Sequence, residues 1–372
     1  MKKVLTIGGA TQDIFISHEQ VQMLHLSLKD GKRSFLIYEA GRKVEIDDLT
    51  YHTGGGATNA AASFKKLNFD VRTFCKVGTD QEGTFIIDAL KAHDINTQYV
   101  IQDAAELTSR SFIIPTEAGD RVALVYRGVS LTLKADELPP EAYNKADQLY
   151  ITSLCGNASQ ALLPIVRQAK KSGCRVAVNP GTSQLVKDVK TLCKSLNHID
   201  ILILNSLEAR HCMAAMVQAE RSLQLKVLES MIDGQQDKKI PKLLRTSLTH
   251  RGLCFSLRFF FKEILERGPQ IIVVTNGKEG VYVGMKDHIL FHPIVKVPVV
   301  STLGAGDAFG STFVGWLLHD HPVEDALRAG IINSASVIGE IGAKVGLLPY
   351  KILQNRVQKL DTNLLQEFEL SD

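Results

Sequence analysis

At 372 residues the chain is long enough for one large α/β domain or two smaller ones. Its residues are 45% hydrophobic and 22% charged, and a formal net charge of +3 is too small to point to nucleic acid or an anionic membrane surface. No stretch approaches the roughly 18 uncharged apolar residues of a membrane span. Six cysteines without a C-x-x-C pair predict reduced thiols in a reducing, cytoplasmic compartment. The eleven histidines form no H-E-x-x-H or other metal pairing.

In chain order, Lys3–Gly9 predicts a buried strand ending in glycines, with Asp13 soon after; this is a first strand and not a signal peptide. Residues 15–53 carry scattered hydrophobics and frequent charges, with short one-faced strands at Ser34–Tyr38 and Lys43–Ile46. They predict a small β lid, which residues 109–128 would complete. Gly54-Gly-Gly-Ala-Thr-Asn59 opens an alanine-rich helix running to Leu67. A strand is expected at Asp70–Gly78 and a helix over residues 80–92. From about residue 146, strands at 148–152, 175–178, 200–204, 270–275 and 280–283 alternate with helical stretches. That rhythm predicts a parallel sheet covered on both faces. Ligands then sit beyond the carboxyl ends of the strands, where Gly9, Asp13, Asn179, Asn205, Thr275 and Gly277 would gather. Residues 212–268 are long for a connection and carry a basic section, Lys238 to Arg258, before Phe259-Phe-Phe261. They read as an extra helical hairpin on the core or as a partner- or membrane-touching insert. Ile294–Val300 reads as a strand despite its proline, and Ala308–Leu318 as a mostly apolar helix.

Between those last two elements lies Ser301-Thr-Leu-Gly-Ala-Gly-Asp-Ala-Phe309. A glycine turn opening a helix leaves N–H groups free at the positive end of the helix dipole, which makes an anion site. Asp307 beside it reads as an N-cap or as a general base next to a phosphoryl group in transit. The glycines at 54–56 let backbone approach a ligand closely. Asp13 and Asn59 suit a polyhydroxyl ligand, or serve as turn and cap residues. Asn205 and Glu208, three apart at a helix start, form a capping box or hold Mg²⁺ through its waters. Thr275–Gly280 is a hairpin turn or a backbone rest for nucleotide phosphates. There is no Walker loop, no G-x-G-x-x-G and no G-x-S-x-G.

Taken in order, several motifs resemble the PfkB carbohydrate kinase family, the ribokinase-like kinases. They are Gly8-Gly9 with Asp13, Gly54–Asn59, Val77-Gly-Thr-Asp80 with Gly83, and Asn179-Pro180. Asn205–Glu208, Thr275-Asn-Gly277 with Gly280, Leu303–Phe309 and Gly342-Ala343 complete the series. The resemblance spans nearly the whole chain. It implies one α/β, ribokinase-like domain over 1–372, with a central mostly parallel sheet, helices on both faces and a β-sheet lid. It implies ATP-dependent phosphorylation of a sugar hydroxyl, with Asp307 taking the proton and the Gly304, Ala305 and Gly306 amides forming the anion hole. Asp13, Gly55, Gly56 and Asn59 would hold the substrate. Asn205, Thr275, Gly277 and Gly304 would hold the nucleotide, and Glu208 would hold Mg²⁺ through water. The alternatives are a nucleoside kinase of the same fold, walled by Phe15, Phe35, Tyr38 and Tyr126, or a catalytically silent binding protein. Three positions depart from the family. Ser301 replaces an aspartate that helps hold a monovalent cation, so potassium activation is in doubt. Gly56 replaces a lysine of ribokinases and Leu154 stands near the place of a glutamate, so ribose is not favoured. No nucleic-acid or membrane partner is expected, and the chain would be a monomer or a homodimer through the lid.

Overall fold

In strand β1 (Lys3–Ile7), Leu5 and Ile7 join one apolar cluster and Val4 joins another. Successive side chains of a strand point to opposite faces, so a strand covered on both sides must be apolar throughout. The computed structural model describes the chain except residues 18–21, 29–30, 117–120, 230–236, 238 and 371–372. After β1 come β2 (Thr11–Ser17), the hairpin β3 (Gln22–Leu28) and β4 (Gly31–Ile37), and β5 (Asp48–Gly54), which leads into α1 (Gly56–Lys66). Then follow β6 (Asp70–Gly78), α2 (Gln81–Ala92), β7 (Val100–Asp103), β8 (Ser109–Pro115) and β9 (Arg121–Tyr126). The expected alternation runs through α3 (Pro140–Asn144), β10 (Gln148–Ile151), α4 (Leu162–Lys171), β11 (Arg175–Val178), α5 (Val189–Ser195) and β12 (Ile201–Asn205). The next stretch holds α6 (Ser206–Ala219), α7 (Arg221–Glu229), the short α8 (Lys242–Arg245), β13 (Leu248–His250), β14 (Leu253–Phe255) and α9 (Leu257–Leu265). Last come β15 (Ile271–Thr275), β16 (Val281–Gly284), β17 (His288–His292), α10 (Ala305–Leu318), α11 (Val323–Val337), α12 (Tyr350–Lys359) and β18 (Gln366–Glu369).

Among the described residues, ten strands form one sheet in the order β18-β17-β16-β15-β12-β11-β10-β1-β6-β7. It is parallel from β15 to β7, and β16, β17 and β18 extend it antiparallel. The strand expected at 280–283 is therefore part of an antiparallel edge. The chain places β6 and β7 on one side of β1 and then returns to put β10 on the other. Strand order thus reverses between β1 and β10, and in such sheets ligands bind beyond the carboxyl ends at that point. Leu149, Ile151, Val176 and Val178 repeat the division seen in β1: they face one cluster, while Tyr150 and Ala177 face the other.

A smaller four-stranded sheet, β5-β2-β8-β9, stands apart, with β3–β4 as a separate hairpin. It begins at Thr11, so Asp13 lies inside β2 rather than at the end of β1. Lys43–Ile46 forms no strand. Ile294–Val300 is not a strand either: Pro298 has no N–H to give a ladder, and the Val300 and Ser301 amides both donate to Ile338 O. The insertion is helices plus the β13–β14 hairpin, with Phe260 and Phe261 fully buried in the core. Lys238 of its basic section lies outside the described residues. No helix among the described residues is long and apolar enough to cross a membrane, and all six cysteines are free thiols.

Candidate active site

The G-A-G-D turn is built against the loop that follows α11. Gly304 caps α10 in the left-handed region (φ 79°), and a Cβ there would lie 2.5 Å from the Ala343 Cβ. Glycine is required on both counts. A Cβ at Gly306 would meet open space. The amides of Gly304, Ala305, Gly306 and Asp307 belong to the cap and first turn, where N–H groups lack intrahelical acceptors. With the helix dipole behind them they form an anion cradle.

Asp307 is not the cap. That position belongs to Gly304, and no side-chain cap bond is present. Its Oδ2 instead accepts a hydrogen bond from Asn59 Nδ2 at 2.8 Å. Burial holds the carboxyl above the usual carboxylate range, with the Asn59 bond and Lys344 opposing the shift. Asn59 sits in the first turns of α1, and its Oδ1 is buried with no hydrogen-bond partner among the described residues. Asp13 is buried in β2, opposite His52 of β5 and beside Ser111 of β8. Burial raises its carboxyl to about 6, against a Ser111 hydrogen bond and the charge of Lys344. Asp307 pushes it further up.

The glycines at 54–56 do something other than admit a ligand. Gly54 leaves room for the Asp13 carboxylate, and Gly55 (φ 91°) lies against the carbonyl of Gly9. A Cβ at Gly56 would come within 2.6 Å of Thr152 Oγ1. Gly55 and Gly56 still line a cavity of about 60 Å³ at the reversal point, together with Gly9, Ser109, Arg127 and Leu154. Leu154 thus stands in the wall of that cavity.

Asn205 ends β12 and Thr275 ends β15, and the two are paired in register. The capping box is formed: Asn205 N donates to Glu208 Oε2 and Glu208 N to Asn205 Oδ1, both at 2.8 Å. Burial pushes Glu208 up to about 7, and the Asp307 charge adds to the effect. Glu208 is thus a partly buried carboxyl whose proton affinity is raised mainly by burial, and a cation with its waters beside it would stabilise its charged form. Gly277 (φ 52°) opens the turn between β15 and its antiparallel partner β16, so the hairpin reading also holds. Asn179 is turned to another use, donating from Nδ2 to Ile203 O at 2.9 Å. Ser301 Oγ accepts from Leu303 N at 3.3 Å, within the turn itself.

Reading the sequence missed Lys344, Thr53 and Thr58. Lys344 Nζ donates to Thr53 O (2.6 Å), Thr53 Oγ1 (2.8 Å) and Thr58 Oγ1 (3.1 Å). Its one signal was its place directly after Gly342-Ala343.

A sequence profile described as pfkB family carbohydrate kinase matches residues 25–235 and 260–349. The chain belongs to the pfkB family of carbohydrate kinases. The unmatched stretch between 235 and 260 falls in the insertion. Ribokinase of Staphylococcus aureus is 22% identical over 349 residues, 93% of this chain and 96% of that protein. The nucleoside kinase of Methanocaldococcus jannaschii superposes with a TM-score of 0.73 at 19% identity, covering 97% of this chain and 99% of that one. Arabidopsis thaliana ribokinase complexed with ribose and ATP gives a TM-score of 0.72 at 17% identity, with coverage of 97% and 99%. This member of the pfkB family has the ribokinase fold and is a phosphotransferase.

Proposed function

We propose that this protein transfers the γ-phosphoryl group of ATP to a hydroxyl of a carbohydrate, with Asp307 as general base. The observation that carries this reading is Asp307 held by Asn59 at the mouth of the anion cradle, next to the unpartnered Asn59 Oδ1. A substrate hydroxyl that donates to the Asp307 carboxylate gives it that proton as its oxygen attacks the γ-phosphorus, while Asn59 Oδ1 accepts from a neighbouring hydroxyl. The new O–P bond forms while the bond to the β,γ-bridging oxygen breaks, and ADP leaves with that electron pair. The Gly304, Ala305 and Gly306 amides stabilise charge on the transferring group. Asp13, Gly55, Gly56 and Asn59 hold the substrate; Asn205, Thr275, Gly277 and Gly304 hold the nucleotide. Glu208 would hold Mg²⁺ through water, and the ion would supply charge neutralisation at the phosphate oxygens. Among the described residues no group of three His, Cys, Asp or Glu could hold a metal. Mg²⁺ needs no such cage, because it keeps waters and takes phosphate oxygens.

The chain acts as one kinase domain over 1–372, with the smaller sheet and the β3–β4 hairpin as its lid and 212–268 as an insertion, in a cytoplasmic setting. Potassium has no part in the proposal, because a neutral Ser301 hydroxyl engaged in its own turn holds a cation poorly. A nucleoside substrate is the second reading, supported by the apolar ring of Phe15, two residues along β2 from Asp13 and edge-on to His52 at 5.3 Å. ADP release from Mg-ATP across sugars, sugar phosphates and nucleosides tests both. Substrate-dependent ADP release names the class, whereas ligand binding without any ADP would mean a silent binding protein.

A further inference from the structure

Lys344 has no role in the assignments above, yet its charge acts on two carboxylates that do, Asp13 and Asp307. Its backbone belongs to the loop that packs on the G-A-G-D turn through Ala343. Its side chain crosses to the root of the smaller sheet and to α1, where three oxygens receive its three protons. Those acceptors fit an ammonium. Thr53 O can only accept, and the Thr58 hydroxyl gives its own proton to Gly54 O at 2.6 Å. Its neighbours along the chain are the substrate residues: Asn59, next to Thr58, holds Asp307, and Gly54, next to Thr53, lies against the Asp13 carboxylate. Among the described residues no carboxylate is hydrogen-bonded to Lys344, and its charge acts on both Asp13 and Asp307.

We propose that Lys344 is a positioning residue for phosphoryl transfer, whose ammonium balances the Asp13 and Asp307 carboxylates and ties the 342–344 loop to the smaller sheet and to α1. This rests on Asp307 acting as the base. The titratable and charged groups that face Lys344 are Asp13 on β2, His52 on β5, Cys75 on β6, His93 after α2 and Asp307 on α10. Arg121 acts on Asp13 from β9. Burial lowers both histidines and pushes the Cys75 thiol up to about 12, so these stay neutral near pH 7. Burial also brings Lys344 down to about 7, with Asp13 and Asp307 holding it up. Lys344 neither takes nor gives a proton in the transfer. It keeps Asp307 able to accept one.

The test is the pH profile of kcat for wild type, Lys344→Met and Lys344→Arg on the substrate found in the screen. Wild type should show an acid limb from Asp307 and an alkaline limb from Lys344. In Lys344→Met the alkaline limb should vanish and the acid limb should move to higher pH. The rate at neutral pH should fall about tenfold or more, a pKa unit of lost charge support, while KM for ATP stays within about twofold. In Lys344→Arg the alkaline limb should also vanish, because guanidinium stays charged, and the acid limb should stay where wild type has it. A Lys344→Met protein with wild-type limbs overturns the proposal, as does a Lys344→Arg protein whose acid limb moves as far as that of the methionine variant. Should Lys344→Met not fold, the other two proteins decide. A wild-type rate flat from about pH 7 to about pH 9 removes the proposal, since the charge would then not matter. Asp307→Asn is run beside them. If it stays active, the base assignment fails and takes this one with it; if it is dead while the limbs are unmoved, only the role of Lys344 falls.

Discussion

Asp307→Asn keeps the shape and the Asn59 contact while removing the proton acceptor. Because Gly304 and not Asp307 caps α10, no cap is lost, and because burial raises the Asp307 carboxyl, the melting temperature at neutral pH should hold or rise. The rate should fall about 10²–10⁴-fold, the usual range for loss of a general base. ATP affinity, read by calorimetry, should hold or tighten, since a negative charge near the phosphates is gone. Turnover within about threefold of wild type would defeat the base assignment. Asp13 makes a prediction about stability. Its folded pKa of about 6 lies above the usual 3.8, so the folded protein holds this proton more tightly than the unfolded chain. Its contribution is full below about pH 4 and is lost as pH rises through about 6. Asp13→Asn removes that loss, so relative to wild type it should gain roughly 1–3 kcal/mol between about pH 4 and about pH 7.5. Its KM for the sugar should rise. Urea unfolding at the two pH values checks the first part, and an equal difference at both would contradict it. Asp307, Asn59 and Glu208 were singled out in the sequence because they stand at helix starts, but local rules there also offered Asp307 as an N-cap, which the fold does not use; their proposed roles came from the order of motifs along the chain. Lys344 was not, because a lysine in a glycine loop looks solvated until the fold carries its end inward.

Helix α9 shows what a short pattern can and cannot tell. The run Phe259-Phe-Phe261 suits a core or a docking face equally well by composition. In the fold, Phe260 and Phe261 are fully buried and Phe259 only partly. Phe260→Ala should therefore cost about 3–5 kcal/mol of stability, and Phe259→Ala much less, by urea unfolding. Equal costs would show that the helix presents a different face. The elements missed or misread lie where long-range pairing outweighs local preference. Residues 294–300 are β-branched enough for a strand, yet Val299 and Val300 are exposed. The available sheet edge is taken by β18, whose partner β17 has β16 on its other side. The β17 segment, His288–His292, was not expected; its Ile289-Leu-Phe291 run is too short to read alone and pairs antiparallel with β16 across residues 285–287.

At the scale of the whole molecule, the alternation of apolar strands with helical stretches was enough to foresee a covered, mostly parallel sheet. The order of its strands was not foreseeable, because nothing local says that β10 lands beside β1. The β3–β4 hairpin leaves Leu24, Leu26, Phe35 and Ile37 exposed, with Leu24 and Phe35 paired across it. We expect a homodimer through this lid surface, and Leu24→Glu with Phe35→Glu should leave monomers in sedimentation velocity. A wild-type monomer at micromolar concentration would end that expectation. Lys344 links the two sheets in a further way. Two of its three acceptors belong to Thr53 on the smaller sheet, while its own backbone lies in the loop after α11 that packs on the G-A-G-D turn. The sheets cannot part without handing the ammonium to water, where its proton affinity returns toward that of a free lysine. Parting them near neutral pH therefore draws protons from solution, and bringing them together over a ligand returns those protons. The heat of binding should then vary with the ionisation enthalpy of the buffer, making the buffer itself a reporter of closure.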